Sequence, residues 1–512
     1  MQNTYRKLAR TENQVRLIAQ YAIDFLSNQF SPPSSTVLDR VEAFHRDSVA
    51  CGVAALAIGA QAPVVLRQEA LEYPAATGKR GAYCFGSTQA VKPEKAVLAN
   101  SSAVRELDSN GTNFGYNLRT GHERGEFGHN DFYPVVLAAA QQQELSGEKV
   151  VLGMLCLDEI RGRLAEVFGL KDYKIDHVVH GAIASAAVYG ALMKATVDEI
   201  ESAIGQVVAH YIPFRAIRAG HQLSDSKGAS AAISAEMAVT ATHRAMRGFI
   251  GPQDIFRNPQ AIFLLFEPTD KIDEKGLPLG SPFDLELATE GDDFAIMDMH
   301  FKLGLYEHQS AGAIAGLLEL LQKNPTLLED RQLIDKVEIT IYEPAYGIIG
   351  DPAKRNPTTR QSADHSMVYI IATLLRKAFA TKQTGWKELF LSPDDYSDEA
   401  LVNSVTREWI EKITFRHGGK EFDEKYPKGI PTLLELNHCT RGKFSSGLVM
   451  YPPGHARNES ADLDDLLENK FVRLASLGVE NVDDLSERFR SIREKSPQQI
   501  ADLYSFPVIG FS

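Results

Sequence analysis

The stretch KGASAAISAEMAVTATHRAMR, from Lys227 to Arg247, decides how this chain folds. Ala232, Ala235, Ala238 and Ala241 recur at every third position, and no proline interrupts the run. Side chains this small let helix axes approach closely, which puts the segment inside a compact helical bundle. Ala182 to Lys194 reads the same way, and Pro134 to Glu144 is a further Ala-rich helix. Upstream, Thr11-Glu12-Asn13-Gln14 has the form of a capping box ahead of Val15, Ile18, Ala19 and Ala22, predicting a helix from about Thr11 to Gln29. The first half of the chain is therefore mainly helical.

The texture changes near Pro259. Ala261 to Phe266 is a short apolar run that suits a strand or a helix end. His300 to Leu305 and Val337 to Tyr342 alternate with period two, the mark of half-buried strands. Ser310 to Gln322 and Met367 to Phe379 read as helices, Lys412 to Arg416 and Phe444 to Tyr451 as late strands, and the acidic tail after Asp462 returns to helix. Pro393-Asp394-Asp395 marks a turn in a polar stretch, Lys382 to Asn403, that reads as an insertion. The expected fold class is mainly α: a large helical domain over 1–264, to which 456–512 returns, and a smaller α+β lid domain over 265–455.

Composition narrows the function. The chain has 512 residues and 44% hydrophobic content, enough for a large core, and a formal net charge of −13. That charge repels nucleic acid and anionic membrane surfaces, so neither is an expected partner, and an anionic ligand would need a locally basic pocket. Cys51, Cys84, Cys156 and Cys439 are too widely spaced for a disulfide framework, a zinc knuckle or a cluster-based dehydratase, and read as buried free thiols. The N-terminal stretch lacks the apolar core of a secretory signal, and no run of 18 apolar residues appears; the expected compartment is the cytoplasm, or the mitochondrial matrix in a eukaryote. G-x-S-x-G, Walker A, H-E-x-x-H and G-x-G-x-x-G motifs are absent, and Gly347-Ile348-Ile349-Gly350 reads as a turn.

Four segments concentrate polar chemistry. The densest is RELDSNGTNFGYNLRTGHERGEFGHND, Arg105 to Asp131, with five glycines, Asp108, His122, Glu123, Glu126, His129 and Asp131. It reads as a site loop, a solvated surface loop, or a metal site built on His122, Glu123, Glu126 and His129 for a hydrolase. Asp176-His177-Val178-Val179-His180 opens a helix, where the dipole favours a neutral, base-competent imidazole; the plainer reading is a capping Asp beside a partly buried His. Arg215 and Arg218, then His221 and Lys227, precede the Ala-rich helix and form either a carboxylate receptor or ordinary surface charge. Lys302 stands six residues before His308, at the exit of an expected strand.

Taken together these segments resemble the MmgE/PrpD family. Leu107-Asp108 followed by Gly128-His129, Asp176-His177-Val178, Ser226-Lys227-Gly228, Gly248 to Asp254, and Phe301-Lys302 with His308-Gln309-Ser310-Ala311 each look like family blocks. So do Ala363-Asp364-His365-Ser366-Met367-Val368-Tyr369 and Tyr451 to Arg457, and the likeness runs in order from about Asp108 to Phe471. The chain departs from the pattern at the 21-residue interval from Asp108 to His129, at Asn130 in place of Pro, at Asn110-Gly111 where a second Asp often stands, and at Leu305-Tyr306 in place of Phe-Pro.

The resemblance implies a helical domain with a smaller lid, a homodimer, no metal or organic cofactor, and a site between the domains. The implied activity is dehydration of 2-methylcitrate or a similar tricarboxylate, with cis-aconitate decarboxylation or epimerisation as the family's other outcomes. Carried over by motif, the catalytic residues are His177, His129, Asp108 and His308, and Lys227 and Lys302 receive the substrate; the cationic segment before the Ala-rich helix adds Arg215 and Arg218 to the substrate-binding set. The expected division of labour gives His177 or His129 the proton abstraction and the other the departing hydroxyl, with Asp108 orienting an imidazole. A non-catalytic scaffold on the same fold is the remaining alternative.

Overall fold

The computed structural model describes residues 4–510 other than 114, 126, 129, 219–222, 270, 275–277 and 351; the side chains of 127, 218 and 353 are outside the description as well. Glu126, His129 and His221, singled out above, therefore lie outside the described residues, as does the Arg218 side chain.

The fold is mainly α, as the small-residue helices predict. The helical body contains α1 (Gln14–Leu26), α2 (Ser35–Ala57), α3 (Gln61–Leu71), α4 (Pro93–Glu106), α5 (Tyr133–Gln143), α6 (Gly147–Val167), α7 (Val178–Leu192), α8 (Val197–His210) and α9 (Asp225–Ala245). α7 is buried along nearly its whole length and packs against α1, α5, α6, α8 and α9. α9 lies between α4 and α7, its Ala231, Ala235, Ala238 and Ala241 buried in the contact. A Cβ at Gly228 would collide with the Glu106 carboxylate, so glycine there lets the start of α9 reach the end of α4. α1 begins two to three residues later than its sequence suggests: Asn13, not Thr11, is the cap, its Oδ1 accepting from the Arg16 N–H at 3.3 Å.

Strands are few. β1 (Tyr5–Leu8) pairs with β6 (Leu285–Ala288), β2 (Ala82–Tyr83) with β3 (Ala90–Val91), and β4 (Thr112–Asn113) with β5 (Phe127–Gly128). β7 (Ile334–Ile341), β8 (Ile413–His417), β9 (Thr432–His438) and β10 (Gly442–Val449) form one sheet in the order β10-β9-β7-β8, with β7 parallel to β8 and the other pairs antiparallel. The helix Ala311–Lys323 covers β9 and β10, and Met367–Thr381 packs on Ser404–Lys412. The C-terminal helix Leu463–Ala475, capped by Asp462, packs on α2, and Tyr504 buries its ring beside Phe85 and His45 in the helical core.

Three local expectations change. Residues 300–305 are not a ladder strand: His300 exchanges backbone bonds with Thr112 (3.0 and 2.7 Å), Phe301 N–H reaches the Gly454 carbonyl (2.8 Å) and Leu305 N–H the Leu391 carbonyl (3.0 Å). The period-two pattern there arises because alternate side chains face different packed segments, Phe301 stacking on Phe44 at 3.8 Å. Ala261 to Phe266 resolves as a helix, Ile262–Phe266, and the glycine turn near 347 overlaps a short helix, Ala345–Ile348. Cys51, Cys84 and Cys156 are buried free thiols as expected, whereas Cys439 is exposed. No single described helix is long and apolar enough to cross a membrane.

Candidate active site

α4 ends at Glu106, and the chain leaves it extended through Leu107 into Asp108. Asp108 is 2% exposed, and its carbonyl accepts from the Tyr306 N–H at 3.0 Å, which brings residues 302–308 alongside. The Lys302 ammonium donates to Asp108 Oδ1. From the first turn of α9, Lys227 Nζ lies 3.9 Å from Asp108 Oδ2 and 3.6 Å from Asp364 Oδ1. Asp108, Lys227 and Lys302, separated widely in sequence, thus meet in one buried cluster.

The imidazole at its centre is His365. Its Nε2 stands 2.8 Å from Asp108 Oδ2 and its Nδ1 2.5 Å from Asp364 Oδ1. Lys227 Nζ is 3.2 Å from the same Nδ1. Arg360 completes the ring, pairing with the Glu106 carboxylate and standing 3.4 Å from Asp364 Oδ2. His365, with 18% of its side chain exposed, and Arg360, with 14%, are the members of this group that open toward solvent.

The charges hold one another. Burial works to raise the Asp108 carboxyl, but His365, Lys302 and Lys227 outweigh it and hold it well below the ordinary range. Asp364 is held low in the same way, by Lys227 and His365 against burial. Lys227 goes the other way: desolvation lowers its pKa to about 8, against the pull of Asp364 and Asp108. Three carboxylates (Asp108, Asp364, Glu106) face three basic side chains and an imidazole, a near-balanced set of charges inside a chain of net charge −13. Ligand atoms of Asp108, Asp364 and His365 lie close enough together to hold a cation, the one such trio among the described residues. Lys227 and Lys302 already sit against those carboxylates, however, and a divalent ion would have to displace them.

The other expected residues fall around this cluster. His308 is buried and stacks on His300, ring centres 5.0 Å apart; burial and the neighbouring Lys302 ammonium hold its pKa well below the ordinary value. His177 is at the start of α7, its Nδ1 3.5 Å from Asp176 Oδ1, while Asp176 Oδ1 caps the helix through the Val178 N–H at 3.3 Å. It lines a small cleft with His180, Lys171 and Arg215. Ser234 Oγ donates to the Val178 carbonyl at 3.4 Å, so α7 begins opposite α9 seven residues, or ~10 Å, beyond Lys227. No described contact joins His177 or Arg215 to Asp108. His180 is buried with Nε2 3.0 Å from the Phe168 carbonyl, a core histidine. His122 is half-buried, 3.8 Å from Asp284, and Glu123 is exposed.

Asp364, His365, Arg360 and Glu106 were missing from the expected site. The signal for two of them was present: Asp364-His365 precedes a helix just as Asp176-His177 does, inside a block already matched to the family.

Comparison with known proteins adds the following. The profile of the MmgE/PrpD N-terminal domain matches residues 16–275, and that of the C-terminal domain residues 306–494. A 2-methylcitrate dehydratase of Salmonella typhi is 23% identical over 470 residues, covering 88% of this chain and 89% of the relative. A probable 2-methylcitrate dehydratase of Saccharomyces cerevisiae is 23% identical over 467 residues, covering 86% and 82%. An alkylcitrate dehydratase of a fungal species is 24% identical over 325 residues, covering 62% and 58%.

Proposed function

This chain belongs to the MmgE/PrpD family, and from that premise we propose that it is a hydro-lyase that dehydrates 2-methylcitrate or a similar tricarboxylate. The observation that carries the proposal is the meeting of Lys227, Lys302, Arg360 and His365 around Asp108 and Asp364. The names of the relatives, dehydratases of 2-methylcitrate and of an alkylcitrate, support the reaction class.

Dehydration of a β-hydroxy acid takes a proton from the carbon beside a carboxylate, and the enediolate that develops there needs fixed positive charge and hydrogen-bond donors around it. Lys227 and Lys302 supply the charge, with Arg215 lining the cleft of His177 and Arg218 joining them as a substrate-binding candidate. The proton carriers are His365, oriented by Asp108, and His177, 13% exposed at the start of α7. His129 is the alternative to His177 as proton carrier, and His308 stays neutral behind Lys302. The dyad of Asp108 with His365 keeps the expected function of Asp108 but gives it a different imidazole.

Incubation with 2-methylcitrate, citrate and cis-aconitate, followed by proton NMR, tests the proposal. A new alkene from 2-methylcitrate is expected. Loss of CO₂ from cis-aconitate, or inversion without elimination, would move the chain to another reaction of the family, and turnover of none of these acids would overturn the reading. Replacing His365 by Gln, or His177 by Ala, is expected to leave a folded protein with kcat lower by about 10²–10⁴. Near-normal turnover in either variant removes that residue from the mechanism.

A further inference from the structure

Lys470 lies on the C-terminal helix Leu463–Ala475, far in sequence from every residue of the cluster, yet it is 1% exposed and reaches the site's backbone. Its ammonium donates to the Ser109 carbonyl at 2.5 Å and to the Lys302 carbonyl at 2.7 Å. Asp47 Oδ1, from α2, stands 2.5 Å away and offsets the buried charge. All three ammonium donors are thereby used.

Both carbonyls belong to the site. Ser109 follows Asp108 directly, and Lys302 is the residue whose side chain pairs with Asp108. The two segments are also joined by the Tyr306 N–H to the Asp108 carbonyl at 3.0 Å, by Ser109 Oγ to the Gly304 carbonyl at 2.9 Å and, farther along, by the reciprocal Thr112–His300 backbone pair. We propose that Lys470 is a positioning residue: one ammonium clamps the backbones of residues 109 and 302 and so fixes the register of the Asp108–Lys302 pair. It touches none of the proton-carrying side chains. Its effect passes through geometry, where a displacement of about 1 Å can cost ~10²-fold in rate.

The activity arm of the test rests on the dehydratase reading; a hydrogen-exchange arm does not. Full-length Lys470→Met leaves the Asp47 carboxylate buried without its cation, so it is compared with the double variant Asp47→Asn/Lys470→Met, which removes both charges, and with Asp47→Asn, which keeps the ammonium and its two carbonyl bonds. Thermal midpoint, kcat, KM and exchange of the Tyr306 and His300 amides are measured for each. The double variant is expected to regain most of the thermal stability lost in Lys470→Met, while kcat stays ~10²-fold down, KM moves less and the Tyr306 amide exchanges faster. Asp47→Asn is expected to lose stability but keep its kcat and its slow Tyr306 exchange. Wild-type kcat and exchange in the double variant would overturn the proposal, leaving Lys470 as mere neutralisation of Asp47. If the double variant does not fold, fast Tyr306 exchange in folded Asp47→Asn overturns it instead. Should the unaltered protein turn over no acid at all, the dehydratase reading fails while the exchange data still decide the clamp.

Discussion

Lys227 is the side chain through which pH acts most directly on the site. Burial lowers its pKa to about 8, so it is an ammonium below that pH and loses its proton as pH rises through it. If it receives a substrate carboxylate, KM is flat below pH 7.5 and climbs above pH ~8, up to about tenfold per unit. Lys227→Met is expected to abolish the break and leave KM high throughout. Steady-state kinetics between pH 6.5 and 9.5 check this, and a KM that ignores pH over that range removes Lys227 from substrate binding. Asp108 answers to a different test. It accepts from Lys302 and faces His365 and Lys227 while 2% exposed, so Asp108→Ala leaves the buried Lys302 ammonium without its carboxylate and Lys227 with Asp364 alone. The expected loss is ~3–5 kcal/mol by chemical denaturation, larger than for Arg119→Ala, whose ion pairs are solvent-facing. Equal losses at the two positions would show that the cluster's charges are well solvated.

At the scale of elements, the site depends on how the β4–β5 ribbon and residues 300–306 lie against the end of α4. Gly128 pairs with Thr112, and Thr112 in turn pairs with His300. Gly128 has φ +123°, a conformation costly for any residue with a Cβ, and an added Cβ would stand 2.7 Å from Thr112 Cα. Gly128→Ala is expected to destabilise by about 1–3 kcal/mol from the backbone alone, and to lower kcat along with it. Gly121→Ala, at φ +71° with open space around it, serves as the control that carries strain without collision. Denaturation midpoints of the two decide whether the ribbon's close packing matters. The elements also explain what periodicity overlooked. α6 went unread because Asp158, Glu159, Arg161, Arg163 and Glu166 look like a solvated face, yet all are buried and paired: Arg161 with Asp158 at 2.5 Å, Arg163 with Glu159 at 2.9 Å and Glu166 at 3.1 Å. Ion pairing inside a bundle erases the polar stripe on which an amphipathic reading relies.

Over the whole molecule, buried imidazoles and carboxyls set the response to acid. Burial lowers His45 and His455 to about 3 and His180 to about 4, so each stays neutral in the folded chain well below the pH at which it would be protonated when unfolded. Such groups leave stability intact above pH ~6.5 and remove it as pH falls toward 4, by ~1.4 kcal/mol per pH unit for each. Glu166, raised to about 7 by burial, works in the opposite sense, as do the buried carboxyls of Asp47, Glu106, Asp158 and Glu307, which burial also raises. Between pH 6.5 and 4.5 the slope of the thermal midpoint is the balance of the two sets, and each buried imidazole tilts it toward loss as pH falls. His45→Gln is expected to lessen that tilt, and an unchanged slope would mean that His45 is not what titrates.

The sequence by itself determined the class of fold, because small residues at helical spacing and short alternating runs are local patterns and burial follows them. It also determined the family, and it singled out Asp108, Lys227 and Lys302, which meet in one buried cluster. Only the tertiary structure decided which imidazole Asp108 faces: His365, not His177, whose described partner is Asp176. It decided too that a lysine from the C-terminal helix grips the backbone of both site segments. These are contacts between residues hundreds of positions apart, and their strength depends on mutual distance and on water excluded by every packed element at once. No local pattern carries that information.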